Sequence, residues 1–260
     1  MLYCRFCGTK EIQFRKSGKF GCTHCVSIFD YPKPKGKNKI PEPFLQTLEI
    51  FVKKNSKSIT LLSLRTRITR NLKSNLFPYY DSLVEKSKQL LVDFGLEESL
   101  YPGGIPPTRL EGEKSVLGMG FYLGSEDHIR WENLIFTKEK NLGGYPSAKP
   151  KNWISIFRFL FKKPLWASAP EVGFISSCPT NLGRGRRDSL LVAVAVDVVS
   201  EFFSILRTLV DFGIEFAPSS DHRIGNIGKE RVLVVKISWK NASVAQKRDF
   251  YKILGLLGSY

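Results

Sequence analysis

Two Cys-x-x-C pairs, CRFC (Cys4, Cys7) and CTHC (Cys22, Cys25), stand at the start of this 260-residue chain with fourteen residues between them. Each pair suits a tight turn that brings two sulfurs to one side, and two such pairs at this spacing predict a four-thiolate Zn2+ site. The intervening segment holds Gly8, Gly18 and Gly21 around a basic stretch, and is expected to form a short hairpin that closes the tetrahedron. About thirty residues bury too little apolar surface to fold alone, so the metal would supply the missing stability. Two disulfides are the competing reading, and they require an oxidising compartment. A thioredoxin-like redox site would need a βαβ pattern around a pair, and neither pair has one.

The next boundary is compositional. Residues 32–43, PKPKGKNKIPEP, are rich in proline and lysine, which describes an extended, semi-stiff tether. The expected organisation is a Cys4 zinc ribbon over 1–31, the linker over 32–43 and one compact domain over 44–260. In that domain FLQTLEIFVKKN reads as an amphipathic helix, ITLLSLRTRITRNL as a strand running into a basic turn, and DSLVEKSKQLLVDFGL as a helix capped by Asp81. SVLGMGFYLGSEDHIRW reads as a strand pair and KNWISIFRFLFKKPLW as a buried helix. SLLVAVAVDVV, GIEFAP and RVLVVKIS read as strands. SEFFSILRTLVDFG, ending on Gly213, and the closing SVAQKRDFYKILGLL read as helices. Strands and helices mix without regular βαβ alternation, which predicts an α+β fold with a mainly antiparallel sheet flanked by helices.

Charge narrows the partners without choosing one. Forty Lys and Arg against 24 Asp and Glu give a formal +16, which attracts anions in general: nucleotides, nucleic acid or acidic protein surfaces. Four metal-bound thiolates would lower that figure. No apolar run reaches the roughly 18–20 residues of a membrane span. MLYCRFCGTK carries no apolar h-region, so a cytoplasmic location is expected.

Three separated stretches share a resemblance. SLRTR (Ser63, Arg65, Arg67), SEDHIR (Ser125–Arg130) and CPTNLGRGRR (Cys178–Arg187) resemble, in the same order, the S-x-R-x-R, N-E-E-D-H-[LI]-R and C-P-T-N-[LV]-G-T-G-L-R segments of the phosphagen, or guanidino, kinases. The last is the most specific. Within the family the chain is most similar to the bacterial protein-arginine kinases, which lack the long N-terminal helical domain of the creatine and arginine kinases. Its Cys-rich segment resembles the zinc-binding activator that partners those enzymes. The likeness covers about residues 57–256, with gaps.

The resemblance implies ATP-dependent phosphoryl transfer to a guanidinium, with arginine side chains of proteins as acceptors and a regulatory protein as a further partner. Such a transfer needs charge neutralisation and alignment more than covalent help, and guanidinium groups grip phosphate oxygens with paired, permanently charged donors. Ser63, Arg65, Arg67, Arg130 and Arg187 are thereby implied in binding ATP, with Mg2+ carried on the nucleotide's own phosphates. Glu126 is implied as the carboxylate that orients the acceptor and takes its proton, and Cys178 as a thiolate against the guanidinium.

The departures bear on activity. Only one carboxylate, Glu126, precedes Asp127-His128, and Gly124-Ser125 stand where the family pattern has its other acid. In the stretch EFAPSSDHRIGN, Phe216 falls where a phosphate-binding arginine is expected, Asp221 where a second catalytic glutamate is expected, and Arg223 offers a substitute arginine. No histidine lies between SLRTR and SEDHIR to match a nucleotide-contacting one. Arg184 and Arg186 replace small or apolar family residues and read as surface charge or contacts to an acidic partner. Two further readings stay open on the residues alone. One is a degenerate, nucleotide- or partner-binding regulator. The other is a zinc-ribbon nucleic-acid binder, with Arg65, Arg67 and Arg70 as a basic patch and Glu126-Asp127-His128 as a surface turn.

Overall fold

In the computed structural model the described residues are 2–31, 40–73, 84–101, 117–136, 152–219, 231–240 and 253. Asp221, Arg223, the Asp81 cap, most of the linker and nearly all of the closing helix lie outside them.

The segment between the two cysteine pairs is a helix, α1 (Glu11–Ser17), and not the expected hairpin. Its local chemistry explains the difference. Glu11 and Arg15 pair one turn apart at 2.7 Å, Gln13 accepts the Lys10 N–H at 2.8 Å, and Gly18 closes the helix in the left-handed region with φ 64°. Phe14, on the buried side, stacks on Phe20 and Phe29. A single turn, α2 (Cys25–Ile28), follows.

α3 (Glu42–Lys54) begins two residues before the expected Phe44, with Pro41 at its N-cap and Pro43 in its first turn. β1 (Ile59–Arg70), α4 (Val84–Asp93), β2 (Leu117–Leu123), β3 (Ile129–Phe136) and α5 (Trp153–Leu160) come next. The short strands β4 (Ser168–Ala169) and β5 (Gly173–Phe174) form a hairpin of their own. β6 (Arg186–Ala195), α6 (Val199–Thr208), β7 (Ile214–Pro218) and β8 (Val232–Lys240) complete the elements. Gly213 stands before β7 with φ 84°, after a 3-10 turn that continues α6.

Six strands form one sheet in the order β2-β3-β1-β6-β8-β7, and every neighbouring pair is antiparallel. α3 and α6 pack on one face over Leu61, Leu64, Leu190, Val192 and Ile237. α4 and α5 cover the same face further along, over Ile68, Phe121, Ile129 and Trp131. A β-bulge between Leu61 and Ser63 sets what reaches each side. Beyond it the even-numbered residues Leu64, Ile68 and Arg70 point toward the helices, and Ser63, Arg65 and Arg67 toward the other face, because side chains alternate along a strand.

The cysteine module does not hang free. Phe14, Phe20, Phe29 and the cysteines share an apolar cluster with Ala167, Ile175 and Leu182, and the Phe20 N–H donates to the Ser177 carbonyl at 2.8 Å. The module therefore rests on the segment that carries Cys178. Among the described residues no helix is long and apolar enough to cross a membrane.

Candidate functional site

Sheet register brings the arginines of three distant segments together. Arg67 on β1 lies opposite Arg187 on β6 and opposite Glu132 on β3. Arg130 pairs with Thr69 on one side and Tyr122 on the other. The four guanidiniums of Arg65, Arg67, Arg130 and Arg187 thus share the face opposite α3–α6. β6 begins at Arg186, so Arg187 is held by strand pairing and not by the loop the sequence suggests.

Three of the four are braced. Arg65 pairs with Glu132, which is fully buried. Arg130 donates to the Tyr122 hydroxyl at 2.9 Å and approaches Glu126 at 3.9 Å. Arg187 donates to the Ser238 hydroxyl at 3.1 Å and meets Glu215 at 3.7 Å. Arg67 has no hydrogen bond or ion pair among the described residues. Burial, with Arg130, Arg65 and Arg187 around it, lowers its pKa to about 10. The Nε atoms of Arg130 and Arg187 are also buried without a partner among the described residues. A cluster of this kind carries more positive charge than its described carboxylate neighbours balance. Ser63, one pleat from Arg65 on the same face, is buried.

The segments carrying Glu126 and Cys178 are tied by one polar lattice. The Asp127 carboxylate accepts from the Asn71 amide at 2.7 Å and from the Ser177 N–H at 2.8 Å. The Asn71 side-chain Oδ1 accepts the His128 N–H at 3.0 Å, and His128 Nδ1 accepts the Leu72 N–H at 3.0 Å. Asp127 and His128 are buried, which overturns the surface-turn reading for both. Cys178 caps a 3-10 turn at Pro179–Asn181, and its Sγ lies 3.0 Å from the Thr180 hydroxyl. Glu126 is bound by Lys19 Nζ at 2.6 Å. That bond, with Arg130 and Arg67 nearby, holds the carboxyl below the usual range despite its partial burial.

The sequence reading missed Glu132, Tyr122, Ser238 and Lys19. Glu132 follows Arg130 by two positions in IRWENL, so strand alternation placed both on one face. The other three depend on pairing between distant strands or on docking of the module, and no local pattern reports them.

Arg70, read as part of a basic patch, and Arg186, read as surface charge or a contact to an acidic partner, both turn to internal partners. Arg70 is fully buried. Its guanidinium lies 3.8 Å from the Phe174 ring centroid and 4.8 Å from that of Phe161, and it donates to the carbonyls of Leu160, Thr69 and Arg184. Burial lowers its pKa to about 9, with Asp127 opposing the shift. The basic patch of Arg65, Arg67 and Arg70 therefore does not exist as such. Arg186 folds back on Asp188 through two bonds, 2.9 and 3.1 Å long. Phe216 packs on the apolar core, against Phe203, so its position turns away from the arginine face.

Cys4, Cys7, Cys22 and Cys25 bring their sulfurs within 4.8 Å of one another. Cys4–Cys22, Cys7–Cys25 and Cys22–Cys25 stand 3.6, 3.5 and 3.9 Å apart. Tetrahedral zinc with bonds of about 2.3 Å requires sulfur edges of about 3.8 Å, so the donor set fits a zinc ion, and no disulfide is formed. A hydrogen bond from Cys25 pulls Cys22 down to about 5, and the same contact with burial pushes Cys25 up. Neighbouring thiolates repel one another, and a dication removes that conflict. Gly21 admits the close approach, since a Cβ there would stand 2.8 Å from the Cys7 sulfur and 2.2 Å from the Thr9 hydroxyl.

No protein-family profile and no curated protein sequence matches the chain. Among solved structures the fold is similar to that of the substrate-free duplicated taurocyamine kinase from Schistosoma mansoni. The two share 13% identity at a TM-score of 0.50, over 92% of this chain and 40% of that one. The same kinase with bound transition-state-analogue components aligns at 14% identity and a TM-score of 0.49, with the same coverage. A lombricine kinase aligns at 14% identity and 0.41, over 86% of this chain and 68% of that one. The chain thus spans less than half the length of the taurocyamine kinase, and what it shares is the α+β fold of guanidino kinases.

Proposed function

We propose that the chain is an ATP-dependent guanidino phosphotransferase acting on arginine side chains of proteins. Arg65, Arg67, Arg130 and Arg187 would grip the triphosphate, and Mg2+, carried on the phosphate oxygens, would supply further charge neutralisation. The acceptor nitrogen attacks the γ-phosphorus, an N–P bond forms, the bond to the β–γ bridging oxygen breaks, and ADP leaves. Glu126 orients the acceptor and takes its proton, while Cys178 lies at the acceptor end. Zinc on the four cysteines is structural.

The observation that carries this reading is Arg67. A half-buried guanidinium ringed by three others, with no direct ion pair among the described residues, is a costly arrangement that a polyphosphate would relieve. In phosphoryl transfer a single well-placed arginine is worth on the order of 10³-fold in rate. The test is incubation with labelled ATP and an arginine-rich protein. Acid-labile phosphate on the acceptor that disappears in Glu126→Ala supports the assignment, and equal labelling by that variant removes it.

A second reading, a nucleotide-binding regulator without turnover, is favoured by the Arg65–Glu132 pair, which neutralises one member of the cradle. Calorimetry that finds ATP binding while no acceptor is labelled would select it.

A further inference from the structure

Lys19 belongs to the cysteine module, yet its ammonium sits on the carboxylate of Glu126, 107 positions away in the chain, at 2.6 Å. The backbone on either side of it is fixed. Gly18 caps α1 through the Phe14 carbonyl, and the Lys19 N–H donates to the Ser17 hydroxyl at 3.2 Å. Phe20 is fully buried and anchored on Ser177, the residue before Cys178. The fold presents this lysine to Glu126, so the contact is not that of a wandering surface side chain.

A cation donating N–H bonds to Glu126 is what an acceptor guanidinium would be on the reading of Glu126 as the acceptor carboxylate, and this inference rests on that reading. Gly124 and Ser125 precede Glu126, and Asp127 is buried against Asn71 and Ser177, so that stretch has no other open acid to receive an acceptor while Lys19 stays. We propose that Lys19 is a built-in competitor for the acceptor site. An acceptor must displace it to reach Glu126, and Lys19 thereby sets which acceptors are used.

The strength of the contact decides what kind of device this is. The two side chains are 35% and 41% exposed, and ion pairs this open contribute about fivefold or less in an equilibrium. Lys19 is therefore displaceable. A tethered group acts at an effective concentration on the order of millimolar. Small guanidino compounds that bind through one end compete poorly against it. An acceptor arginine on a protein segment, with neighbouring contacts to add, competes well.

The test uses the full chain and agmatine, a small guanidinium, titrated by calorimetry into wild type, Lys19→Ala and Lys19→Gln. Thermal midpoints and metal content confirm that the variants fold, and Lys19→Gln serves if Lys19→Ala does not. Agmatine binding about fivefold tighter in Lys19→Ala than in wild type, with Lys19→Gln between, is the expected result. Equal affinity in all three, or no agmatine binding in the variants, overturns the proposal. Labelled-ATP transfer is scored separately on the same proteins. Tighter agmatine binding with no transfer leaves the competitor standing and removes the kinase reading. Transfer with unchanged agmatine affinity does the reverse.

Discussion

β1 carries Arg65 and Arg67 to one face of the sheet and Arg70 to the other, and the two faces use the same side chain for opposite ends. On the helix-covered side Arg70 is enclosed by two phenyl rings and spends its donors on three backbone carbonyls. On the opposite side Arg67 is ringed by like charges and spends its donors on none of the described groups. A buried cation bonded to three backbone carbonyls ties segments together, even with its Nη2 left without a partner among the described residues. An unsatisfied one stores unfavourable energy that a ligand can release. All of these arginines count equally in the net charge of +16, so charge alone separates neither role.

The largest effect expected from breaking this contrast is at Arg70. Arg70→Ala leaves a cavity between Phe161 and Phe174 and strips three carbonyls of a donor, at a cost of about 3–5 kcal/mol in stability. Arg70→Lys keeps the charge but loses the planar stacking and the forked donors, and should fall between. Denaturant unfolding of both variants checks this. Gly185 belongs to the same construction, because with φ +61° a Cβ there would meet Arg70 Nη1 at 2.5 Å and the Thr69 carbonyl at 2.7 Å.

Arg67→Gln should act in the opposite direction on stability. The folded-state pKa of Arg67 is depressed to about 10. Its charged form is therefore disfavoured by folding at every pH below that value, and the cost is relieved only as pH rises above 10. Removing the charge should stabilise the ligand-free protein at neutral pH by about 1 kcal/mol. The same change should weaken ATP binding by about 10- to 100-fold, since hydrogen bonds to charged groups contribute about 1.5–3 kcal/mol. Thermal unfolding with and without ATP reads both quantities. A variant that loses stability and keeps its affinity would erase the distinction between Arg67 and Arg70.

Glu132 tunes the arginine face. Its carboxylate neutralises Arg65 from a fully buried position, so Glu132→Gln should tighten ATP or pyrophosphate binding several-fold by freeing that guanidinium. Calorimetry at fixed ionic strength measures the change, and unchanged affinity would mean that Arg65 takes no part in anion binding.

How much of this could be read from the chain depends on whether the information is local. The zinc-type cluster was legible because its ligands come in short Cys-x-x-C turns, and the antiparallel α+β sheet because its strands lacked regular crossover helices. Helix α1 was legible in principle, since Glu11, Arg15 and Gly18 are helix signals. The expectation of a ribbon between the cysteine pairs outweighed them. The fates of Arg67 and Arg70 were not legible. They depend on strand parity, and the bulge between Leu61 and Ser63 resets that parity inside an apolar run that gives no sign of it. The meeting of Arg67 with Arg187 and Arg130 depends on register between strands far apart in the chain. Lys19 on Glu126 depends on docking of a separate module.

The smallest expected effect sits at that docking contact and extends the comparison to a third, partly solvated setting. Lys19 holds the Glu126 carboxyl below its ordinary pKa. The pair therefore contributes stability above the unfolded glutamate value and loses it as pH falls through the lower folded-state value. With both side chains more than a third exposed, the contribution should stay below about 1 kcal/mol and shrink in high salt. The thermal midpoints of wild type and Lys19→Ala should differ slightly at pH 7 and converge as pH falls through the lowered Glu126 value. A difference that persists undiminished in acid would mean that Lys19 supports the module through packing, as Arg70 supports the core. Convergence in acid and in salt would instead place this cation with the charges of the arginine face, where what a charge does is decided by what can displace its partner.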